Sequence, residues 1–424
     1  MQIEDLNPWW KTSNIEEGFR KMEQRDAFHT ILKYLKDRQI ICITGLRRTG
    51  KTVLMHHLIS HMIKEIPKES VLYYNFDLLD ESIENILKQY GSKVKIDIKK
   101  ERIFVFLDEV QKHKNWENEL KLLYDNFLNI KFLVSGSSSL FIEKKTKESL
   151  GGRAFSFMLE PMRFAEYSRI AGFKYDEERL TLYKGEIEKA FGHYLSIGGF
   201  PELIGETDPE KIGMYVKELV VDKIIYMDIP QAFKIDEPEL LSRIFMIISS
   251  SPGMIFDYGA IASDLQRNRK TISNYVSYLE KAFLIKKIYN YSKNLLTSEK
   301  KLKKIYPVST AFAYFANAEP GKIIETAVLM NSDFRYFSRK GDKEVDFVKA
   351  EKGAVIPVEV KYAGRIRIRE FKGLLKFMRD YGLKEGLAIT KEHEAEENVS
   401  GFKVKFVPIW KWMLKNRRSK LYIE

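Results

Sequence analysis

Short, dense apolar runs alternate with amphipathic stretches through the first 160 residues. Ile40–Ile43, the centre of Ser70–Asp77, Ile103–Leu107 and Phe132–Val134 are nearly free of polar positions, as strands covered on both faces should be. Phe155–Leu159 reads as a fifth strand. Between these runs, Val53–Ile63, Glu81–Tyr90 and Trp116–Phe127 carry apolar residues at helical spacing. Alternation of this kind predicts an α/β fold with a doubly wound parallel sheet.

Further along, the periodicity changes twice. Glu186 to Asp236 is helical, interrupted by SIGGFPEL, where Gly198, Gly199 and Pro201 force a turn. From Leu240 to Tyr291 the pattern shortens to three helices, SRIFMIISSSPG, FDYGAIASDLQ with Asp257 as its cap, and RNRKTISNYVSYLEKAFLI. KKIYNYSK then alternates like a wing. This is the order of a winged helix-turn-helix, whose third helix normally enters the DNA major groove. Finally, KEVDFVKAEKGAVIPVEVKY is two β-like runs around Lys352-Gly353, a hairpin signal. A helix over Arg369–Arg379 and a strand over Glu385–Thr390 follow.

At 424 residues the chain exceeds one ordinary core, so several domains are expected. Lys and Arg number 71 against 59 Asp and Glu, a net charge of +12. That balance favours a polyanionic partner, nucleic acid before membrane. The single cysteine, Cys42, excludes an internal disulfide framework and a cysteine zinc site. No run of about 18 apolar residues occurs and MQIEDLNPWW is no basic leader, so a cytoplasmic location and no membrane partner are expected.

The chemistry begins at GLRRTGKT. Gly45, Leu46, Arg47, Arg48, Thr49, Gly50, Lys51 and Thr52, followed by Val53, place G-x-x-x-x-G-K-T between a strand and a helix. Two glycines let backbone N–H groups turn toward phosphate oxygens at a helix N-terminus. Lys51 is expected on the β and γ phosphates and the Thr52 hydroxyl on Mg²⁺, with ATP or GTP as the nucleotide. A second signal closes the Ile103–Leu107 strand: Asp108 for the Mg²⁺ shell, then Glu109 to polarise the attacking water. Ser135 and Ser137, after the next strand, are candidate sensors, though three serines in a row equally make a plain turn. Arg153 is an arginine-finger candidate, in its own subunit or a neighbour's, and Arg47 and Arg48 carry the same ambiguity. The strand order, with a glutamate after the metal-binding aspartate, resembles the AAA-type ATPases.

In the helix expected to read the groove, Arg267, Arg269, Lys270, Ser273 and Asn274 cluster at the start, and Lys286, Lys287, Lys293, Lys300, Lys301, Lys303 and Lys304 follow. This reads as a DNA footprint, although lysine runs are usually solvated faces. If Lys352-Gly353 centres the last hairpin, Asp346 opposes Glu359 and Glu344 opposes Lys361, with opposed β-carbons roughly 4.5 to 5.5 Å apart. Two carboxylates that close are tolerated when a divalent cation lies between them, with Lys361 placed to orient or deprotonate a water. Val345, Phe347, Val358 and Val360 then form an apolar stripe on the other face. The hairpin resembles the core of the PD-(D/E)xK nuclease fold, and that resemblance implies Glu325 as a third acidic ligand.

From GLRRTGKT, FLDEVQ, SGSSS, GGFPE and VDF…VEVK together, the chain resembles a prokaryotic family of AAA-type ATPases with a winged helix and a nuclease-like C-terminus. The expected layout is a P-loop ATPase domain at 1–170, a helical connector or lid at 171–236, a winged helix at 237–308 and a restriction-endonuclease-like αβ domain at 309–424. The leading expectation is an ATP- and Mg²⁺-dependent switch or motor acting on DNA. The alternatives are a nucleotide-regulated nuclease at Asp346, Glu359 and Lys361, or a signalling ATPase whose C-terminal domains bind protein. Homo-oligomerisation is left open by the sequence.

Overall fold

The computed structural model describes residues 2–136, 150–233, 235–294, 302–351 and 353–416. Contacts divide these into two compact units, one holding residues up to 160 together with 227–233, the other holding 161–226 and the rest. The expected connector at 171–236 is therefore not a body of its own.

In the first unit, β1 (Ile40–Thr44), β2 (Val71–Asn75), β3 (Ile103–Asp108), β4 (Ile130–Ser135) and β5 (Ala154–Met158) form one sheet in the order β2-β3-β4-β1-β5. Every pairing is parallel, as the apolar runs require. The helices α1 (Lys51–Met62), α2 (Ile83–Val94) and α3 (Trp116–Asn126) alternate with the strands. Register places Ile43 beside Ser135 and Asn75 beside Asp108. The carboxyl ends of β1 to β4 thus share one rim, where open α/β sheets bind their ligands.

β2 is an edge strand, and an uncovered edge is a liability. The N-terminal segment covers it. Asn7 donates to the Tyr73 carbonyl at 2.9 Å and accepts from the Tyr73 N–H at 2.7 Å, copying a ladder pair with one amide side chain. Trp9 and Trp10 both donate ring N–H groups to the Val71 carbonyl, at 3.1 and 2.9 Å, and Trp9 is fully buried.

The second unit begins with α4 (Phe164–Ile170) and α5 (Lys184–Ile197), which ends at Gly198. Gly199, at φ +81°, passes so close to the Met162 carbonyl that a Cβ would lie 2.5 Å from its oxygen. Next come α6 (Pro238–Ser250), β6 (Met254–Ile255), α7 (Tyr258–Asp264), α8 (Arg269–Lys281), β7 (Ile285–Asn290) and β8 (Lys303–Pro307). Asp257 caps α7 as expected, accepting from Gly259 and Ala260 N–H. The remainder is α9 (Pro320–Met330), β9 (Tyr336–Lys340), β10 (Lys343–Glu351), β11 (Ala354–Lys361), α10 (Lys372–Tyr381), β12 (Glu385–Thr390), β13 (Ala395–Val399), β14 (Phe402–Pro408) and α11 (Ile409–Lys415).

These strands are one nine-stranded sheet, β13-β14-β12-β11-β10-β9-β7-β8-β6. The expected boundary at 308/309 is absent, because β7 pairs in parallel with β9 through Tyr289↔Tyr336 and Asn290↔Phe337. Asn290 strengthens the seam, its side chain donating to the Arg339 carbonyl at 3.1 Å and accepting from the Arg339 N–H at 3.2 Å. Periodicity reveals strands but not their neighbours, so no local pattern marks this join.

Replacing Asn7 with Ala leaves the Tyr73 N–H and carbonyl without their buried partner, which should cost about 2 kcal/mol. Thermal melting of the full chain should show the drop. A shift equivalent to less than about 0.5 kcal/mol, the scatter of ordinary surface changes, would refute the edge-covering role.

Candidate functional site

The P-loop leaves β1 at Thr44 and enters α1 at Lys51. Gly45 stands at φ +150°, and a Cβ there would lie 2.3 Å from the Leu159 carbonyl oxygen, so only glycine passes. Thr49 is buried and its hydroxyl donates to the Leu46 carbonyl at 2.9 Å. Arg25 clamps the loop from outside, donating to the Thr49 carbonyl and, at 2.8 Å, to that of Glu160. The Lys51 ammonium donates to the carbonyls of Leu46 and Gly45 at 3.0 and 3.3 Å. Burial pushes its pKa down, opposed by Glu109 and Asp108.

Asp108 is the centre of the rim. It is fully buried and accepts from the Thr52 hydroxyl at 2.7 Å, the Tyr73 hydroxyl at 2.9 Å, the Ser135 hydroxyl, and the Glu109 N–H at 3.1 Å. Burial, and then the Glu109 charge, raise its pKa; the three hydroxyls oppose them. An anion this poorly solvated fits a cation site, and Thr52 with Asp108 supplies the oxygen donors that Mg²⁺ takes. Glu109 follows in the left-handed region at φ +52°, an unusual conformation for a non-glycine residue. Gln111 donates to its Oε2 at 2.6 Å.

Several expectations change. Ser135 gives its proton to Asp108, so its hydroxyl supports the carboxylate instead of facing the rim as a free sensor; Ser137 lies outside the described residues. Arg153 does not reach the site within its own chain. Its carbonyl accepts from Ile40 N–H at the opposite end of β1, about 13 Å of strand from Thr44, and its guanidinium pairs with Asp125 at 2.9 and 3.0 Å. Instead, Arg47 is the arginine near the acidic pair. It makes a bidentate bond to the buried Asp228, both distances 2.6 Å, and also feels the charge of Glu109. Arg48 is exposed at φ +66°, and Val53 lies half-buried on α1. Sequence reasoning missed Arg25, Tyr73 and Asp228, since nothing in their surroundings marks them as partners of a loop so far along the chain.

In the second unit, the hairpin register of β10 and β11 is the one expected, from Phe347↔Val358 to Glu351↔Ala354. Those pairs begin at Phe347, and on its other side β10 bulges between Val345 and Val348 in its pairing with β9. Val345 and Val348 join the core with Leu374 and Met378, whereas Phe347 stacks on Phe334. The apolar stripe therefore differs from a regular alternation. Glu344 does not pair with Lys361: it meets Lys304 and Arg339. Lys361 pairs with Glu359 at 2.8 Å, and Asp346 accepts from the Val360 N–H at 2.8 Å.

Asp346, Glu359 and Glu325 are all buried, and the Glu359 Oε2 atom has no hydrogen-bond partner. Burial, then Asp346, push the Glu359 pKa up to about 8. Burial opposes the Lys361 charge, and Glu359 and Asp346 overcome it, so its ammonium is held above the usual range. Glu325 is engaged otherwise, by Lys322 at 2.7 Å and the Tyr306 hydroxyl at 3.2 Å. Among the described residues no three acidic, His or Cys side chains are grouped to hold a metal ion. The carboxylates thus gather, but Glu325 is not placed as a third ligand.

Residues 265–268 turn between α7 and α8, with Gln266 at φ +52°. Ile272, Tyr275, Val276 and Leu279 face inward, which leaves Arg269, Lys270, Ser273 and Asn274 exposed at the helix start. Arg267 is paired with Glu237. The lysine run is less of a footprint than its density suggests. Lys304 is buried, Lys287 bonds Glu280 at 2.6 Å, Lys303 and Lys293 lie over the Tyr289 and Tyr381 rings, and Lys300 and Lys301 lie outside the described residues. No helix among the described residues is long and apolar enough to cross a membrane.

Comparison with known proteins agrees with the P-loop geometry. Residues 37–168 match the family model described as an AAA domain, while 188–320 and 321–412 match two domains of unknown function. Uncharacterized protein MJ1544 of Methanocaldococcus jannaschii is 28% identical over 401 residues, covering 89% of this chain and 88% of its own. A second protein of that organism, MJ1637, is 26% identical over 449 residues, covering 94% and 92%. Among solved structures, the Walker-type ATPase PABY2304 of Pyrococcus abyssi superposes with a TM-score of 0.40 at 14% identity, over 69% of this chain and 95% of that one. The span of 37–168 that matches the AAA-domain model contains the loop, the buried aspartate and the glutamate after it.

Proposed function

We propose that the chain is an Mg²⁺-dependent ATP hydrolase that acts as a switch or motor on DNA. The observation that carries the hydrolase reading is the fully buried Asp108 carboxylate bonded to the Thr52 hydroxyl, with Glu109 next to it and the P-loop on the same rim. Thr52 and Asp108 would hold the magnesium ion, which would supply charge neutralisation to the nucleotide's phosphates. Lys51 exchanges the loop's own carbonyls for phosphate oxygens. Glu109, fixed by Gln111, takes up the proton of the attacking water. ATP turnover should vanish in Lys51→Ala. In Glu109→Gln, nucleotide should still bind while turnover falls by at least about a hundredfold; a Glu109→Gln variant that hydrolyses at the wild-type rate would remove that residue from the reaction.

The DNA part rests on the exposed start of α8 in what we read as a winged helix formed by α6, α7, α8 and the β6, β7 and β8 strands. Arg269 and Lys270 are placed for phosphate contact. Replacing both with Ala should weaken duplex binding on all sequences and reduce the salt slope of log affinity by about 2. Binding that is insensitive to salt between roughly 50 and 200 mM would instead favour a protein partner for this half.

One observation keeps metal-dependent cleavage as a second reading: the unpartnered, buried Oε2 of Glu359 beside Asp346 and Lys361. Incubation of single- and double-stranded DNA with Mg²⁺ or Mn²⁺ decides it. Cleavage abolished by Lys361→Ala supports the site, and intact DNA under every condition rejects it.

A further inference from the structure

The first unit is continuous in sequence up to residue 160, and the described chain then returns to it only for residues 227–233. Within that return, Asp228 is 5% exposed, and both of its oxygens are committed to Arg47, a residue of the P-loop itself. A buried carboxylate is costly to desolvate, and here the cost is offset by one well-aligned bidentate partner.

The geometry of that pair leaves the guanidinium half used. Arginine has five N–H donors in a planar fork. Asp228 takes the Nε hydrogen and one on Nη2. Both hydrogens on Nη1 and the second on Nη2 point away from the carboxylate, because the fork is rigid. Arg47 belongs to the same loop as Lys51, and the Glu109 carboxylate, after Asp108 at the end of β3, acts on both cations. Arg153, the arginine expected to contact the terminal phosphate, is engaged by Asp125 at the far end of β1. Arg48 is exposed, with φ at +66°.

We propose that Asp228 is a positioning residue for phosphoryl transfer: it fixes the Arg47 guanidinium so that its free edge meets the terminal phosphate of the bound nucleotide, supplying in the same chain the cation that other ATPases take from a neighbour. The inference rests on the hydrolase reading above. Its physical content is preorganisation. An unrestrained arginine on a loop samples many rotamers, whereas one held by two parallel bonds presents its donors without reorganisation as charge develops. Lysine has no such fork and cannot replace it.

The test uses the full chain, with ATP turnover and binding of a fluorescent ATP analogue read in parallel. Asp228→Asn should lower kcat about a hundredfold while the analogue's dissociation constant changes by less than about threefold. Asp228→Glu, which keeps the carboxylate, should recover part of the lost kcat. Arg47→Ala and Arg47→Lys should each lose kcat to a similar extent, and Arg47→Ala combined with Asp228→Asn should be no slower than Arg47→Ala alone, the non-additivity expected of residues acting as one unit. Because Arg47 is half-exposed, its variants remain informative if Asp228→Asn does not fold. Wild-type kcat in Arg47→Lys, a rise in kcat or nucleotide affinity in Asp228→Asn, or losses that add in the double variant would each overturn the proposal while leaving the hydrolase reading intact. Wild-type turnover no greater than that of Lys51→Ala would overturn both.

Discussion

The burial of the Asp108 carboxylate is the constraint around which the P-loop unit is arranged. An anion with no access to water must be met by donors from every side, and each donor comes from a different element: Thr52 from α1, Tyr73 from β2, Ser135 from β4, Glu109 from the turn after β3. The strand order β2-β3-β4-β1-β5 puts β4 between the loop strand and the acidic strand. Remove the carboxylate and three hydroxyls lose their acceptor together. The same desolvation that raises the Asp108 pKa makes the position receptive to a divalent cation, so the structural demand and the chemical one coincide.

Support for this rim extends outward through the backbone of β2. Asn7 closes the free edge of β2 by bonding both backbone groups of Tyr73, the residue whose hydroxyl reaches Asp108. A segment that carries no catalytic group is in this way two bonds from the centre. Arg25 does the same for the loop, bonding the Thr49 and Glu160 carbonyls.

The second unit follows a different logic. Its nine strands form one sheet, so β7 and β8, which follow α7 and α8, and the acidic hairpin share a single hydrogen-bonded ladder through β7 and β9. Lys304, from β8, pairs with Glu344 of β10, an ion pair that only this continuity allows. Two lysines of the basic run, at 287 and 304, are spent inside the fold, while Lys293 of that run and Arg269 and Lys270 at the start of α8 are exposed among the described residues.

By itself the sequence determined what depends on neighbours along the chain. The five strands of the P-loop unit, the loop and helix that follow β1, the acidic pair after β3, the cap at Asp257 and the hairpin register from Phe347 to Glu351 are all local, because apolar period, glycine positions and turn residues act over a few residues. Only the tertiary structure decided which strands lie side by side, and with that the joining of β7 to the C-terminal strands, the bulge between Val345 and Val348, the far placement of Arg153 and the arrival of Asp228 at Arg47. The reason is physical: a buried charge selects its partner by distance and desolvation in three dimensions, and a separation of 181 positions along the chain leaves no periodic trace of that choice.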